Sequence, residues 1–418
     1  MDNSFVSPSL FSVSKIPNIG SNAESVLNQN RRLILHIIKD AGVISRKQIT
    51  EITGLTLATV TIAVKSLQDK GLIEESGLIE GDMGRRIMGF SLSRSRYAII
   101  SIRMSPNYLK IASYDLKNNN LYIKRKFFDT LHDIVQTCEI LEDEINEARS
   151  SIQERTLIGI ALGVEGPFEI VDGYYKYPDP QSPSGYFDLG KFLYEKIKTP
   201  IIINRPSNFA VYHLWKKEGK SNPLGIFVHI SVSYSIECGI IVNGQIINGS
   251  RGTAGDLGGI VVGNDNSGNP KYLAEHASSN YVISRVTNLL KEYPSSILAL
   301  KKNDLNIKDI IKAFTLGDEL ALIIFSEVAK SLGVLIANIE SLLNPDYIFI
   351  GDELPTTPEM KDLIIKEVMR NLPGHTTPNV FPIILENEDH PTPKEDPSLL
   401  GANSYILDAF IQSMEFGD

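Results

Sequence analysis

Residues 45–68, SRKQITEITGLTLATVTIAVKSLQ, constrain this chain more tightly than any other stretch: their apolar spacing and their one glycine suit two short helices joined by a tight turn. Within residues 46–53, Ile49 and Ile52 fall on one helical face, and Gly54 stands where a helix must stop and reverse through a left-handed residue. Thr56 can cap the next helix, whose Val60, Val64 and Leu67 recur at spacings of four and three to bury one side. Leu57, Ala58, Thr59, Thr61, Ile62 and Lys65 are left to face wholly or partly outward. Small side chains and hydroxyls near a helix N-terminus let the backbone approach a major groove, with thymine methyls and phosphates in reach. The stretch is therefore expected to be a helix-turn-helix on double-stranded DNA. Thr56 and residues 57–65 would lie at the bases, and Arg46 and Lys47 at the backbone; an ordinary pair of packed helices is the plain alternative.

The flanks fit the first reading. In residues 29–39, Leu33, Ile34, Ile37 and Ile38 form an apolar stripe that predicts a supporting helix, ended by Ala41 and Gly42. After the second helix, GLIEESGLIEGDMGRRIMGFSLS alternates apolar and polar residues around a glycine-containing turn, with a return strand over residues 87–92. That pattern is a winged hairpin. Arg85 and Arg86 at its tip could meet phosphate or enter a minor groove, or form a solvated loop pair.

Charge is placed unevenly. The 418 residues carry a formal charge of −9, yet up to Arg96 there are 12 Lys and Arg against 9 Asp and Glu, a balance of +3 that leaves −12 for the rest. A mildly basic head on an acidic body fits a local DNA-binding module. Cys138 and Cys238 lie far apart without metal-like spacing, so neither a disulfide framework nor a cysteine metal site is indicated. With no signal pattern and no run of about 18 apolar residues, the expected location is cytoplasmic, without a membrane span.

Residues 1–24 are rich in Ser, Asn and Pro and are expected to be a flexible arm, followed by the winged head over 25–95. From Tyr97 the pattern changes to strand-like YAIISIRM, YLKIASYDL and NLYIKRKFF, a helix near residues 134–153, and strand-like LIGIALGV. A second unit opens at PIIINRPSN, continues through a helix at residues 210–217, and adds GIFVHISVS and CGIIVNGQIING as a hairpin. The class is α/β, with one lobe over 96–200, a second lobe carrying an oligomerisation surface over 201–397, and a terminal helix, 398–418, returning to the first.

Taken together, these residues resemble the ROK family, which groups repressors, uncharacterised reading frames and sugar kinases on an actin-like two-lobed fold. The head resembles that of the family's repressors, Gly84-Arg85-Arg86 resembles their Gly-Arg wing signature, and GIIVNGQIINGSRGTAGDLG and LGVLIANIESLLNPDYIFIGDEL resemble segments of the family body. The departures are chemical. Against the family's Asp-x-Gly phosphate loop this chain has Arg103 and Ser105, and against its Gly-Thr-Gly loop it has residues 233–239, SYSIECG, whose bulky and acidic side chains would crowd and repel a nucleotide phosphate. Where family kinases place Asn and a general-base Asp, this chain has Asn204 and Arg205, and a guanidinium cannot take that proton. The family's zinc ligands are missing: the Gly-His pair is Gly258-Gly259, and the cysteine loop has become VGNDNSGNPKYLAEHAS. Disorder or polar repacking of residues 263–272 would follow.

What the resemblance implies is a repressor that binds a palindromic operator as a homodimer or homotetramer, with no ATP, zinc or other cofactor. Its body would sense a sugar-related ligand or a regulatory protein. Asn204, Asp256 and Glu275, which stands beside Ala274, hold or adjoin the family's sugar-contacting positions. Arg103 and Arg205 would either favour an anionic effector or pair with local carboxylates. A sugar kinase with a regulatory head, and a regulator that answers to a protein partner alone, are the alternatives.

Overall fold

The protein is described by a computed structural model covering residues 23–80, 86–106, 108–128, 134–166, 169–171, 174–179, 182–301, 304–372, 383–386 and 396–414. Most of the expected arm and the tip of the wing, including Arg85, lie outside them.

The head contains α1 (Ala23–Ala41), β1 (Ile44–Ser45), α2 (Arg46–Thr53), α3 (Leu57–Asp69), β2 (Ile73–Glu80) and β3 (Arg86–Leu92), the strands ordered β1-β3-β2. It begins earlier than the apolar stripe suggests. Ile34 and Ile38 are the buried residues of that stripe, Leu35 from outside it is buried beside them, and Leu33 is 44% exposed. Leucine at position 35 takes the inward place because α1 packs against α3 along the line its i, i+3 neighbours define.

Next come β4 (Tyr97–Ser105), β5 (Tyr108–Tyr114), β6 (Asn120–Phe127), α4 (Ile134–Ser151), β7 (Thr156–Val164), β8 (Glu169–Val171), β9 (Tyr174–Pro178), β10 (Tyr186–Asp188), α5 (Leu189–Ile197) and β11 (Ile201–Asn204). Their main sheet has the order β11-β7-β4-β5-β6, with β11, β7 and β4 parallel and the last two strands antiparallel. Ile100, Ile102, Ile111, Leu141, Ile145, Ile160 and Leu162 are buried in this part of the chain.

The remainder adds α6 (Pro206–Glu218), β12 (Ile226–Val232), β13 (Ile236–Val242), β14 (Gln245–Ile246), β15 (Val261–Asn264), β16 (Pro270–Tyr272), α7 (Ala274–Ala277), α8 (Ser279–Leu289), α9 (Ile307–Thr315), α10 (Glu319–Leu343), β17 (Tyr347–Asp352), α11 (Pro358–Asn371), β18 (Ile383–Leu385) and α12 (Pro397–Ser413). Its sheet, β14-β13-β12-β17-β18, repeats the plan of the first: three parallel strands and two antiparallel ones. Alternation on β12 and β17 puts Val228, Ile230, Ile348 and Ile350 in the core with α10, while His229 and Phe349 register on the opposite face. Length and composition alone would let α10 cross a membrane, although Glu327 and Lys330 keep it from being an unbroken apolar run. Its Leu320, Ile324, Phe325, Val328, Leu332 and Ile336 are instead spent in the core.

By internal contacts the chain divides into one unit of residues 1–164, 170–204 and 402–418, which includes the head, and another of residues 165–169 and 205–401. Helix α12 belongs to both: its first turn counts with the second unit and the rest with the first.

Candidate nucleic-acid interface and body site

Local chemistry sets the helix-turn-helix. Ser45 and Gln48 form a capping box on α2, the Ser45 hydroxyl accepting from the Gln48 amide at 3.3 Å and the Gln48 side chain accepting from the Ser45 amide at 3.0 Å. Gly54 ends that helix at φ 69°, the left-handed geometry glycine adopts without a Cβ penalty. Thr56 caps α3 by accepting from the Thr59 amide at 3.2 Å. Val60, Ala63, Val64 and Leu67 bury the inner face of α3.

One expectation fails here. Ile49 is fully buried but Ile52 is 62% exposed. Three residues fall about 60° short of a full helical turn, enough to carry Ile52 past the edge of the narrow strip of α2 that is covered. The outward face of α3 carries Leu57, 57% exposed, and Ile62, 60% exposed, with Ala58, Thr61 and Lys65. Thr59 is half-buried, its hydroxyl 2.9 Å from that of Thr56. On α2, Lys47 is exposed and lies 3.7 Å from Glu51, whereas Arg46 stacks its guanidinium 4.5 Å above the Phe90 ring and so gives part of its surface to the wing. Arg86, exposed, opens β3.

The head is fastened in a way that residue spacing does not reveal. Arg32 of α1 donates to the Met414 carbonyl through Nε at 3.0 Å and Nη2 at 2.6 Å, and Lys39 pairs with the buried carboxylate of Asp408 on α12, with His36 Nδ1 3.7 Å away. On the wing side, Lys117 reaches Glu74 at 3.2 Å and the Tyr97 hydroxyl donates to the Lys70 carbonyl at 2.8 Å. Partners 382 and 369 residues apart leave no local signal in a sequence.

The residues assigned to a ligand divide between the two units. In the first, Arg103 on β4 and Asn204 at the end of β11 both register with Gly163 of the strand between them, which sets their Cα atoms two strand spacings, about 10 Å, apart. Both are buried.

In the second unit, Arg205 occupies the N-cap position of α6, and its Nη1 donates to Glu237 Oε1 at 3.1 Å; the two side chains are 2% and 3% exposed. Glu237 also lies 3.4 Å from the Ser235 hydroxyl and accepts from the Gly166 amide at 3.4 Å. The arginine that follows Asn204 and the acidic residue of the 233–239 loop therefore complement each other. Of the two fates considered for Arg205, this is pairing with a local carboxylate. Neighbouring Cys238 is pushed up to about 12, chiefly by burial and then by the Glu237 charge, with Arg205 opposing; burial alone pushes Cys138 to about 12.

Asp256 is exposed and bridges its backbone to Glu237. The Ala274 amide donates to the Gly258 carbonyl at 3.1 Å, which holds the start of α7 beside this loop, and Glu275 points its exposed surface outward. The loop expected to be disordered or repacked is held by polar contacts: Asp265 accepts from Asn269 Nδ2 at 2.9 Å, the Asn269 amide at 2.8 Å and the Ser267 amide at 2.8 Å, which holds its carboxyl below the usual range. Among the described residues no cluster of three His, Cys, Asp or Glu has metal-binding geometry.

A capped helix-turn-helix with a two-stranded wing, joined to two sheets of the same mixed plan, defines a DNA-binding regulator on a sugar-kinase-like body. The chain belongs to the ROK family, whose profile matches residues 99–406, and a winged helix-turn-helix DNA-binding profile matches residues 27–74. It is 24% identical over 334 residues to the xylose repressor of Caldicellulosiruptor bescii, covering 78% of this chain and 83% of that one. It is also 30% identical over 233 residues to a glucokinase of Halalkalibacterium halodurans, covering 54% of this chain and 69% of the enzyme. The solved structure of a ROK family transcriptional regulator, a homologue of the E. coli MLC protein, superposes with a TM-score of 0.69 at 22% identity, covering 93% of this chain and 98% of the other, a likeness of fold.

Proposed function

We propose that this ROK-family transcriptional regulator is a repressor that grips a palindromic operator with two heads, as a dimer or higher oligomer. Its body would take a sugar-related or anionic effector, or a regulatory protein, and no longer phosphorylates anything. The observation that carries this reading is α3, capped at its N-terminus, buried on one side and exposed on the other beside a two-stranded wing. Leu57, Ala58, Thr59, Thr61 and Ile62 read the bases with Lys65 beside them, while Arg46, Lys47, Arg85 and Arg86 position the phosphates. The xylose repressor among its relatives supports a sugar-related effector. Operator access puts the protein in the cytoplasm. Effector binding would alter head spacing by favouring one arrangement of the lobes.

The test is selection of bound genomic fragments with the purified full chain, across a salt series, beside an Arg86→Ala variant. Enrichment of a recurring palindrome, weakened by salt and by the substitution, is expected. Failure of folded protein to enrich any sequence rules the reading out.

Similarity to a glucokinase favours a second reading, an active sugar kinase with a regulatory head. A guanidinium at position 205 cannot act as general base. A coupled assay with ATP and a panel of sugars decides: turnover would restore the kinase reading.

A further inference from the structure

The outward face of α3 is poor in donors. Over its first two turns it presents Leu57, Ala58, Thr61 and Ile62, and the Thr61 hydroxyl already donates to the Leu57 carbonyl at 2.7 Å. That leaves Thr61 a methyl and an acceptor-only oxygen for an outside partner. Thr59 and Thr56, next to this face, share a hydrogen bond at 2.9 Å. The first long donor on the exposed side is Lys65, and Gln68 and Asp69 stand in the last turn, about 17 Å along the axis from Leu57. Guanine is read in the major groove by donors to O6 and N7, and adenine by a carboxamide to N6 and N7. The N-terminal half of α3 offers neither an arginine nor a carboxamide. What it does offer is exposed aliphatic surface at 57% and 60% of two large side chains, matched in the major groove by one feature, the C5 methyl of thymine.

Resting on the reading of this head as DNA-binding, we infer that α3 selects its half-site through thymine methyls packed against Leu57, Ala58, Thr61 and Ile62. The operator half-sites are then A·T-rich where α3 enters the groove. Lys65 adds attraction without choosing the thymines. Burying one methyl changes affinity by about fourfold, so two per half-site give more than tenfold.

The experiment takes the palindrome selected from random duplexes by the full-length protein and remakes it with deoxyuridine for thymidine, which removes the C5 methyls and keeps every hydrogen-bonding group. The wild-type chain should bind the uracil duplex at least tenfold more weakly. Leu57→Ala and Ile62→Ala, both at exposed positions, should lose most of that discrimination, binding the two duplexes within a few-fold of each other. Lys65→Ala should weaken both duplexes alike. Specific binding that is indifferent to uracil, or selected half-sites dominated by guanines under α3, overturns the inference and leaves the DNA-binding reading standing. Absence of any enriched sequence removes both.

Discussion

Arg205 and Glu237 form a buried charge pair. Each is almost wholly shielded, so removing the carboxylate takes an ion-pair partner from a guanidinium held in the interior. Glu237→Ala should cost about 3–5 kcal/mol, seen as a lowered melting temperature, while Arg205→Met with Glu237→Leu should recover much of the loss. A pH effect belongs to His213 on α6, whose imidazole burial pushes down to about 4, with the Lys217 charge adding to it. The unfolded chain then binds a proton that the folded chain refuses between about pH 6.5 and 4, so stability falls as the pH drops through that window, by on the order of 3 kcal/mol. Comparing unfolding of His213→Gln with wild type across those pH values checks this: the variant's curve should be flatter. At this scale the sequence spoke unevenly. Arg205 was legible as a vacant base, but its partner was not, because Glu237 reads from sequence only as a charge repelling phosphate. Ile52 misled for the reason given by helical geometry, since periodicity records direction and not how wide a neighbour's cover is.

Elements with local causes were the most legible. The turn between α2 and α3 follows from Gly54 and Thr56, and both can be tested singly. Gly54→Ala, placed at φ 69°, should cost about 1 kcal/mol, and Thr56→Ala should cost about 1 kcal/mol through the lost cap. Hydrogen exchange of the α2 and α3 amides reads both, and should show faster opening in the head with core strands such as β12 unaffected. Strands β4, β5 and β7 also announced themselves, because their apolar runs end in turn residues. By contrast the order of strands within each sheet rests on long-range pairing that no window of residues contains.

Considered whole, the protein concentrates its positive charge in a small head, +3 through Arg96 against −12 in the remainder by the count of Lys and Arg over Asp and Glu. Affinity for DNA should therefore fall steeply with salt, and Arg86→Ala and Lys65→Ala should each reduce the magnitude of the log–log salt slope by about one. The charge imbalance was visible in the sequence, while the means of holding head to body was not. Part of that means is α12, and it imposes an order of events in synthesis. The carbonyl that receives Arg32 belongs to Met414, and the carboxylate that receives Lys39 belongs to Asp408. A nascent chain emerging from the ribosome carries α1, α2 and α3 long before either partner has been translated. Until residues 408–414 have been made the head has the Lys117–Glu74 and Tyr97–Lys70 contacts to hold it, so a message cut short before them yields a DNA reader without its α12 clamp.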